Sequence, residues 1–185
     1  MDLKIDKNSQ VAYVGMVTAL MVVSALVRIP IPPVPITLQS FIVLLVPMVF
    51  GARVAFNGVF IYIILGLMGL PIFAHGGGPA YLLNPTFGYV IGFLFAVIPV
   101  GYFSRKADTL IRYFFSGLMG LLVIYICGVF YLFLNINFIQ DKSITIFNAI
   151  KIGFLLPIFF DLIKLTGVSM VMVKLGKKSI YQGSK

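Results

Sequence analysis

Between Arg112 and Asp141 the chain runs YFFSGLMGLLVIYICGVFYLFLNINFIQ (residues 113–140) without one charged side chain. An α-helix rises about 1.5 Å per residue and the hydrocarbon core of a bilayer is about 30 Å thick, so roughly 20 such residues suffice to cross it. The same reading extends outward. No charge separates Arg28 from Arg53, or Arg53 from Arg105. With Pro, Gly and polar breaks as punctuation, apolar helices are expected near 11–29, 37–51, 54–70, 86–103, 111–134 and 146–173. The expected fold is an all-α integral membrane protein, six transmembrane helices in one compact bundle, with residues 1–185 forming a single membrane domain.

Composition agrees with lipid as the solvent. Of 185 residues 61% are hydrophobic and 10% are charged, where a soluble domain carries roughly 25% charge. A body this small leaves much of its surface exposed and cannot hide so much apolar side chain. The net charge of +9 does not mark a nucleic-acid binder, because the basic residues form no face with interleaved aromatics. They sort by side instead. Lys4, Lys7, Arg53, Arg105, Lys106, Arg112, Lys174, Lys177, Lys178 and Lys185 fall on one side of the six spans, and Arg28, Lys142 and Lys151 on the other. The excess places both termini in the cytoplasm. The polar start followed by apolar residues 11–27 is read as a retained first helix, not a secretory leader.

The chemistry-bearing residues are few. Asp161 and Lys164, in the last span, lie three residues apart and share a helix face. A charge within the bilayer costs at least about 2.5–3.5 kcal/mol and usually faces a cavity or a partner. The pair suits a cyclic urea or amide, the carboxylate accepting N–H and the ammonium donating to C=O; a purely structural ion pair is the alternative. Pro157, one turn earlier, is expected to disturb the helix there. The external loop at 71–86 holds Gly76, Gly77 and Gly78, which let backbone approach a ligand closely, with Tyr81 and Asn84 as a ring and a hydrogen-bonding amide; an ordinary Gly- and Pro-rich turn without a ligand is the alternative. His75 receives no role, since no second His exists to build a metal site. The turn from Ile29 to Gln39, with Pro30, Pro32, Pro33 and Pro35, is expected to be extended. It is expected to form the other wall of the mouth, with Gln39 either pointing inward or resting at the membrane interface as a helix-end residue.

Small residues recur at helical spacing in two places. Ala12, Gly15 and Ala19 in the first helix, and Gly88 and Gly92 in the fourth, allow close helix packing, within the chain or with a partner. No G-x-x-x-x-G-K-[ST] occurs, so any uphill transport takes its energy from elsewhere. One His, one Cys and a single intramembrane carboxylate supply no nucleophile–base pair or metal cluster, and an enzyme is not expected. No cofactor is expected.

Four segments together, Pro32-Pro-Val-Pro-Ile-Thr-Leu-Gln39, Gly66-Leu-Met-Gly-Leu-Pro-Ile-Phe-Ala74, Pro85-Thr-Phe-Gly-Tyr-Val-Ile-Gly-Phe93 and Asp161-x-x-Lys164, strongly resemble the BioY family, the biotin S components of energy-coupling factor transporters. The resemblance covers essentially the full chain. It implies high-affinity capture and uptake of biotin across a bacterial cytoplasmic membrane, in a pocket capped by the loops after helices 1 and 3. It also implies as partners a transmembrane coupling protein and two ATPase subunits, docked against Ala12, Gly15 and Ala19. By the same resemblance Asp161 and Lys164 hold the ureido ring, Asn84 hydrogen-bonds the ligand, Tyr89 or another ring packs on the bicycle, and Gln39, Tyr81 and Gly77 complete the pocket. The acyl tail then points to the mouth, its carboxylate solvated or met by backbone N–H groups of the glycine loop. The alternatives are an S component for another vitamin, such as riboflavin or thiamin, and a membrane scaffold without a ligand.

Overall fold

The computed structural model describes residues 7–140 and 142–176. Lys4, Lys177, Lys178 and Lys185, which entered the count of basic residues by side, and Asp141, which ends the charge-free run, lie outside the described residues. Six helices form the bundle: α1 (Lys7–Leu26), α2 (Gln39–Phe50), α3 (Ala52–Leu67), α4 (Phe87–Ser104), α5 (Leu110–Phe138) and α6 (Ile146–Leu175). Between α1 and α2 the proline-rich turn is an antiparallel hairpin of β1 (Arg28–Ile29) and β2 (Ile36–Thr37), with a cis peptide at Pro32-Pro33. A 3-10 turn, Pro79–Leu83, leads into α4.

Four helices, α1, α4, α5 and α6, are long and apolar enough to cross a membrane. The two others depart from the expectation that each segment spans by itself. At 12 residues, α2 is about 18 Å long, well short of the hydrocarbon thickness. It does not need the full length, because its neighbours cover it: Ile42, Val43, Leu44, Val46 and Met48 are all buried. The direct join of α2 to α3 turns on Gly51, whose φ of 82° is a conformation that side chains with a Cβ adopt only at a cost.

α4 and α5 make the most intimate pair, and the glycines of α4 explain it. A Cβ on Gly88 would sit 2.2 Å from the Tyr131 Cβ, and one on Gly92 would sit 2.9 Å from the Ile124 Cα. The small stripe of α4 is thus used inside the chain. Outward, Phe95, Phe115, Phe130 and Phe159 are each about half exposed or more, an apolar belt that calls for lipid.

Candidate functional site

The site begins with a defect in α6. Pro157 has no N–H and cannot bond the carbonyl four residues earlier, which belongs to Gly153. The helix widens there into a π turn, Lys151–Leu155, a distortion often found at functional positions. The Tyr89 hydroxyl, from α4, donates to the Gly153 carbonyl at 2.7 Å. Glycine is required for that approach, since a Cβ at position 153 would lie 2.6 Å from the Tyr89 Oη. One turn beyond Pro157, α6 delivers Asp161.

Asp161 is 7% exposed, and both of its oxygens accept hydrogen bonds. Oδ1 accepts from the Ser40 hydroxyl at 2.7 Å and from Lys164 Nζ at 2.7 Å; Oδ2 accepts from the Tyr125 hydroxyl at 2.6 Å. Lys164 has three N–H groups and uses all of them, the other two going to the Thr37 carbonyl at 2.6 Å and the Ser40 hydroxyl at 3.0 Å. Among the described residues no buried side-chain N or O atom lacks a partner. Two charges are therefore held in a low-dielectric interior by mutual pairing and complete hydrogen bonding, the condition under which such burial is tolerated.

Against this network lies a cavity of about 50 Å³ under the β1–β2 hairpin and the loop between α3 and α4. Thr37, Gln39, Ser40, Tyr125 and Asp161 form its polar floor; Tyr81, Tyr89, Val34, Val90 and Phe93 are among its walls. Gln39 donates from Nε2 to the Tyr62 hydroxyl at 2.9 Å, and Tyr62 donates in turn to the Ile72 carbonyl at 3.2 Å. Tyr81 meets the Thr86 hydroxyl at 3.0 Å. Because Thr86 Oγ1 gives its own proton to Asn84 Oδ1 at 2.7 Å, Tyr81 is the donor in that pair.

Three expected positions are placed differently. Asn84 does not line the cavity; its side-chain oxygen accepts both the Thr86 hydroxyl and the Thr86 N–H, an Asx turn that starts α4 and orients Tyr81 through Thr86. Gly77 lets backbone approach backbone: a Cβ there would lie 1.9 Å from the Leu70 carbonyl oxygen. Lys164 converges on Asp161 as the helix spacing requires, but its ammonium points into the network and not into the cavity lining. Ser40 and Tyr125, which touch the carboxylate directly, are additions that the sequence reading missed. Each is a polar group within an apolar span, the signal that could have drawn attention to them.

The loop over the cavity is tied down. Phe73 pairs with Gly76 through two backbone hydrogen bonds, and the Gly78 N–H donates to the Gly66 carbonyl at 2.7 Å. From the C-terminal end of α5, Tyr131 donates to the Leu82 carbonyl and Asn135 to the Leu83 carbonyl. His75 is exposed on this loop. Its pKa lies below the ordinary value through partial burial and then the nearby Arg28 guanidinium.

On α1, Val17 and Met21 are fully buried, and α1 packs on α3 where Gly58 leaves room for Val17. Ala12, Gly15 and Ala19 lie exposed on another face. A Cβ on Gly15 would meet nothing within 4 Å, so this stripe has no packing partner among the described residues.

Comparison with known proteins gives a consistent family. The model of the BioY family matches residues 2–180. A protein of Thermotoga maritima named biotin transporter BioY is 38% identical over 172 residues, 92% of this chain and 98% of that one. A probable biotin transporter BioY of Lysinibacillus sphaericus is 35% identical over 161 residues, 86% of this chain and 82% of its own. In structure the chain is similar to the crystallised S-component for biotin from an ECF-type ABC transporter, with a TM-score of 0.80 and 25% identity over 95% of this chain and 94% of that chain.

Proposed function

Because the chain belongs to the BioY family, we propose that it captures biotin with high affinity as the substrate-binding S component of an energy-coupling factor transporter. Transport, not catalysis, is the family's work, and biotin is the ligand carried, not a cofactor. The observation that carries the reading is the buried Asp161–Lys164 pair, roofed by two external loops and flanked by an apolar-walled cavity. A cyclic urea presents two N–H donors beside one carbonyl, and this site presents a carboxylate beside an ammonium.

In this reading a ureido N–H takes the place of a hydroxyl proton at Asp161, Ser40 or Tyr125 supplying the vacated position. Lys164 leaves the Thr37 carbonyl to reach the ureido oxygen. Tyr89 and Tyr81 flank the ring system, Gln39 closes the outer floor, and Asn84 and Gly77 act through the loop they shape. Energy comes from a separate coupling protein and two ATPase subunits, docked on the bare Ala12, Gly15 and Ala19 stripe. Arg53, Arg105, Lys106, Arg112 and Lys174 on one side, against Arg28, Lys142 and Lys151 on the other, support cytoplasmic termini in a multi-pass protein of the bacterial cytoplasmic membrane. The whole chain acts as one membrane domain.

The test is calorimetric titration of biotin, riboflavin and thiamin into the detergent-purified protein after stripping co-purified vitamin. Tight one-to-one biotin binding that Asp161→Asn abolishes is expected. Binding of another vitamin, or of none, would refute the assignment.

A further inference from the structure

At the end of the bundle that carries Arg53, Arg105, Lys106 and Arg112, the outer face of α3 holds a feature that ligand capture does not use. There α3 packs between α1 and α4, and an open groove follows each side of it. The α1–α3 groove, of about 560 Å³, is lined by Gln10, Val11, Val14, Asn57, Phe60 and Ile61. The α3–α4 groove, of about 380 Å³, is lined by Ala52, Arg53, Phe56, Asn57 and Ile98. Asn57 belongs to both, so the two meet over the outer ridge of α3. Phe56 and Phe60, whose rings stack with centroids 6.3 Å apart, wall one groove each.

The lining is ordered by depth. Along α3, which starts at Ala52 and rises about 1.5 Å per residue, a guanidinium comes first at Arg53, an amide one turn on at Asn57, and hydrocarbon beyond it at Phe60 and Ile61. The facing walls keep the same order: on α1 Gln10 stands one turn before Val14, and Ile98 lies well inside the end of α4 at Ser104. Val11, Phe60, Ile61 and Ile98 are exposed apolar side chains. Among the described residues no carboxylate pairs with Arg53, since Asp108 is held by Arg112 and Asp161 by Lys164. The Ala12, Gly15 and Ala19 stripe lines neither groove.

We propose that an anionic phospholipid seats astride α3, its phosphate on Arg53, its ester carbonyls at the Asn57 amide and one acyl chain in each groove. Two apolar channels that join at a polar end match a two-chained lipid, whereas a partner helix is a single rod and would leave one channel open. The charge is complementary as well. A guanidinium meets phosphate oxygens with two parallel N–H···O bonds, and basic pockets between membrane-spanning helices are suited to anionic headgroups.

The experiment offers delipidated, detergent-purified protein phosphatidylglycerol or zwitterionic phosphatidylcholine with matched acyl chains, and counts bound lipid by native mass spectrometry. Wild type is expected to hold one phosphatidylglycerol on the order of tenfold more tightly than phosphatidylcholine, the contribution of one charge-assisted hydrogen bond. Arg53→Gln is expected to bring the two lipids level, and Arg53→Lys to keep part of the preference. Lys106→Gln, at the same end but outside both grooves, is expected to keep all of it. Val11→Trp fills the α1–α3 groove without a change of charge and is expected to weaken both lipids. Each variant replaces an exposed side chain and should melt as wild type does. Equal retention of the two lipids by wild type would overturn the proposal. So would equal loss of preference in Arg53→Gln and Lys106→Gln, which would show attraction to the charge of the whole end. Wild type that kept no lipid, with Val11→Trp blocking assembly with a coupling protein, would overturn it and give the groove to that partner.

Discussion

Lys164→Met should be among the most destabilising single substitutions in the chain, and its cost should shrink when Asp161 is also neutralised. The side chains of Asp161 and Lys164 are 10% and 15% exposed, so water screens their attraction little. Removing one partner of a buried pair typically costs about 3–5 kcal/mol, because the other charge is left uncompensated. Here Asp161 would keep its hydroxyl donors Ser40 and Tyr125, and the Thr37 carbonyl would lose the Lys164 proton, adding about 1 kcal/mol. In Asp161→Asn/Lys164→Met no charge remains to be orphaned. The double variant should therefore be more stable than the sum of the single effects by about 1–3 kcal/mol. Reversible denaturant unfolding of the ligand-free protein in detergent measures all four corners of the cycle. Single effects that add to within about 0.5 kcal/mol would refute the description of the two groups as one buried, mutually dependent pair. Biotin affinity measured on the same variants should fall in all three, since each removes a group proposed above to meet the ureido ring.

Two further predictions concern glycines whose surroundings are opposite. A leucine at Gly15 meets open space, so Gly15→Leu should leave folding and biotin binding as in wild type while abolishing biotin uptake in cells carrying the coupling module; loss of folding would show that the stripe packs internally. An alanine at Gly153 would place a Cβ 2.6 Å from the Tyr89 hydroxyl and 2.8 Å from Leu132 Cδ2. Gly153→Ala should cost about 1–3 kcal/mol by overpacking and weaken biotin binding through displaced Tyr89, read by unfolding and titration; wild-type values in both would refute the described fit between α4 and α6.

Legibility followed the range of the signal. The long helices could be read because charge-free runs are local, and Asp161 with Lys164 because three residues on a helix fix a shared face. What surrounds the pair was not readable, since Ser40 and Thr37 stand more than a hundred residues from their partners in α6. Tyr125 comes from another helix again; a polar group within an apolar span marks it, but not the partner that it meets. Glycine was ambiguous for a related reason: a missing Cβ shows that something comes close, but not what. At Gly77 it is the Leu70 backbone, at Gly153 the Tyr89 hydroxyl, at Gly88 another helix, and at Gly15 nothing within the described chain. The brevity of α2 was hidden because buried apolar residues look alike whether lipid or protein covers them.

The pairing of Lys164 with Asp161 and its neighbours also constrains what can bind there. Every proton of Lys164 and every acceptor it faces is already engaged, so an apolar ligand would gain nothing by opening the network and would leave unsatisfied the groups it parted. A successful ligand must return what it displaces, N–H donors to the carboxylate and a carbonyl to the ammonium, from atoms close enough together to reach both. A cyclic urea does so with three neighbouring groups. A cationic vitamin such as thiamin would instead bring a second positive charge beside Lys164, and the described residues hold no second buried carboxylate to receive it. Discrimination then follows from the cost of leaving buried polar groups unpaired, which separates ligands more sharply than the fit of an apolar wall.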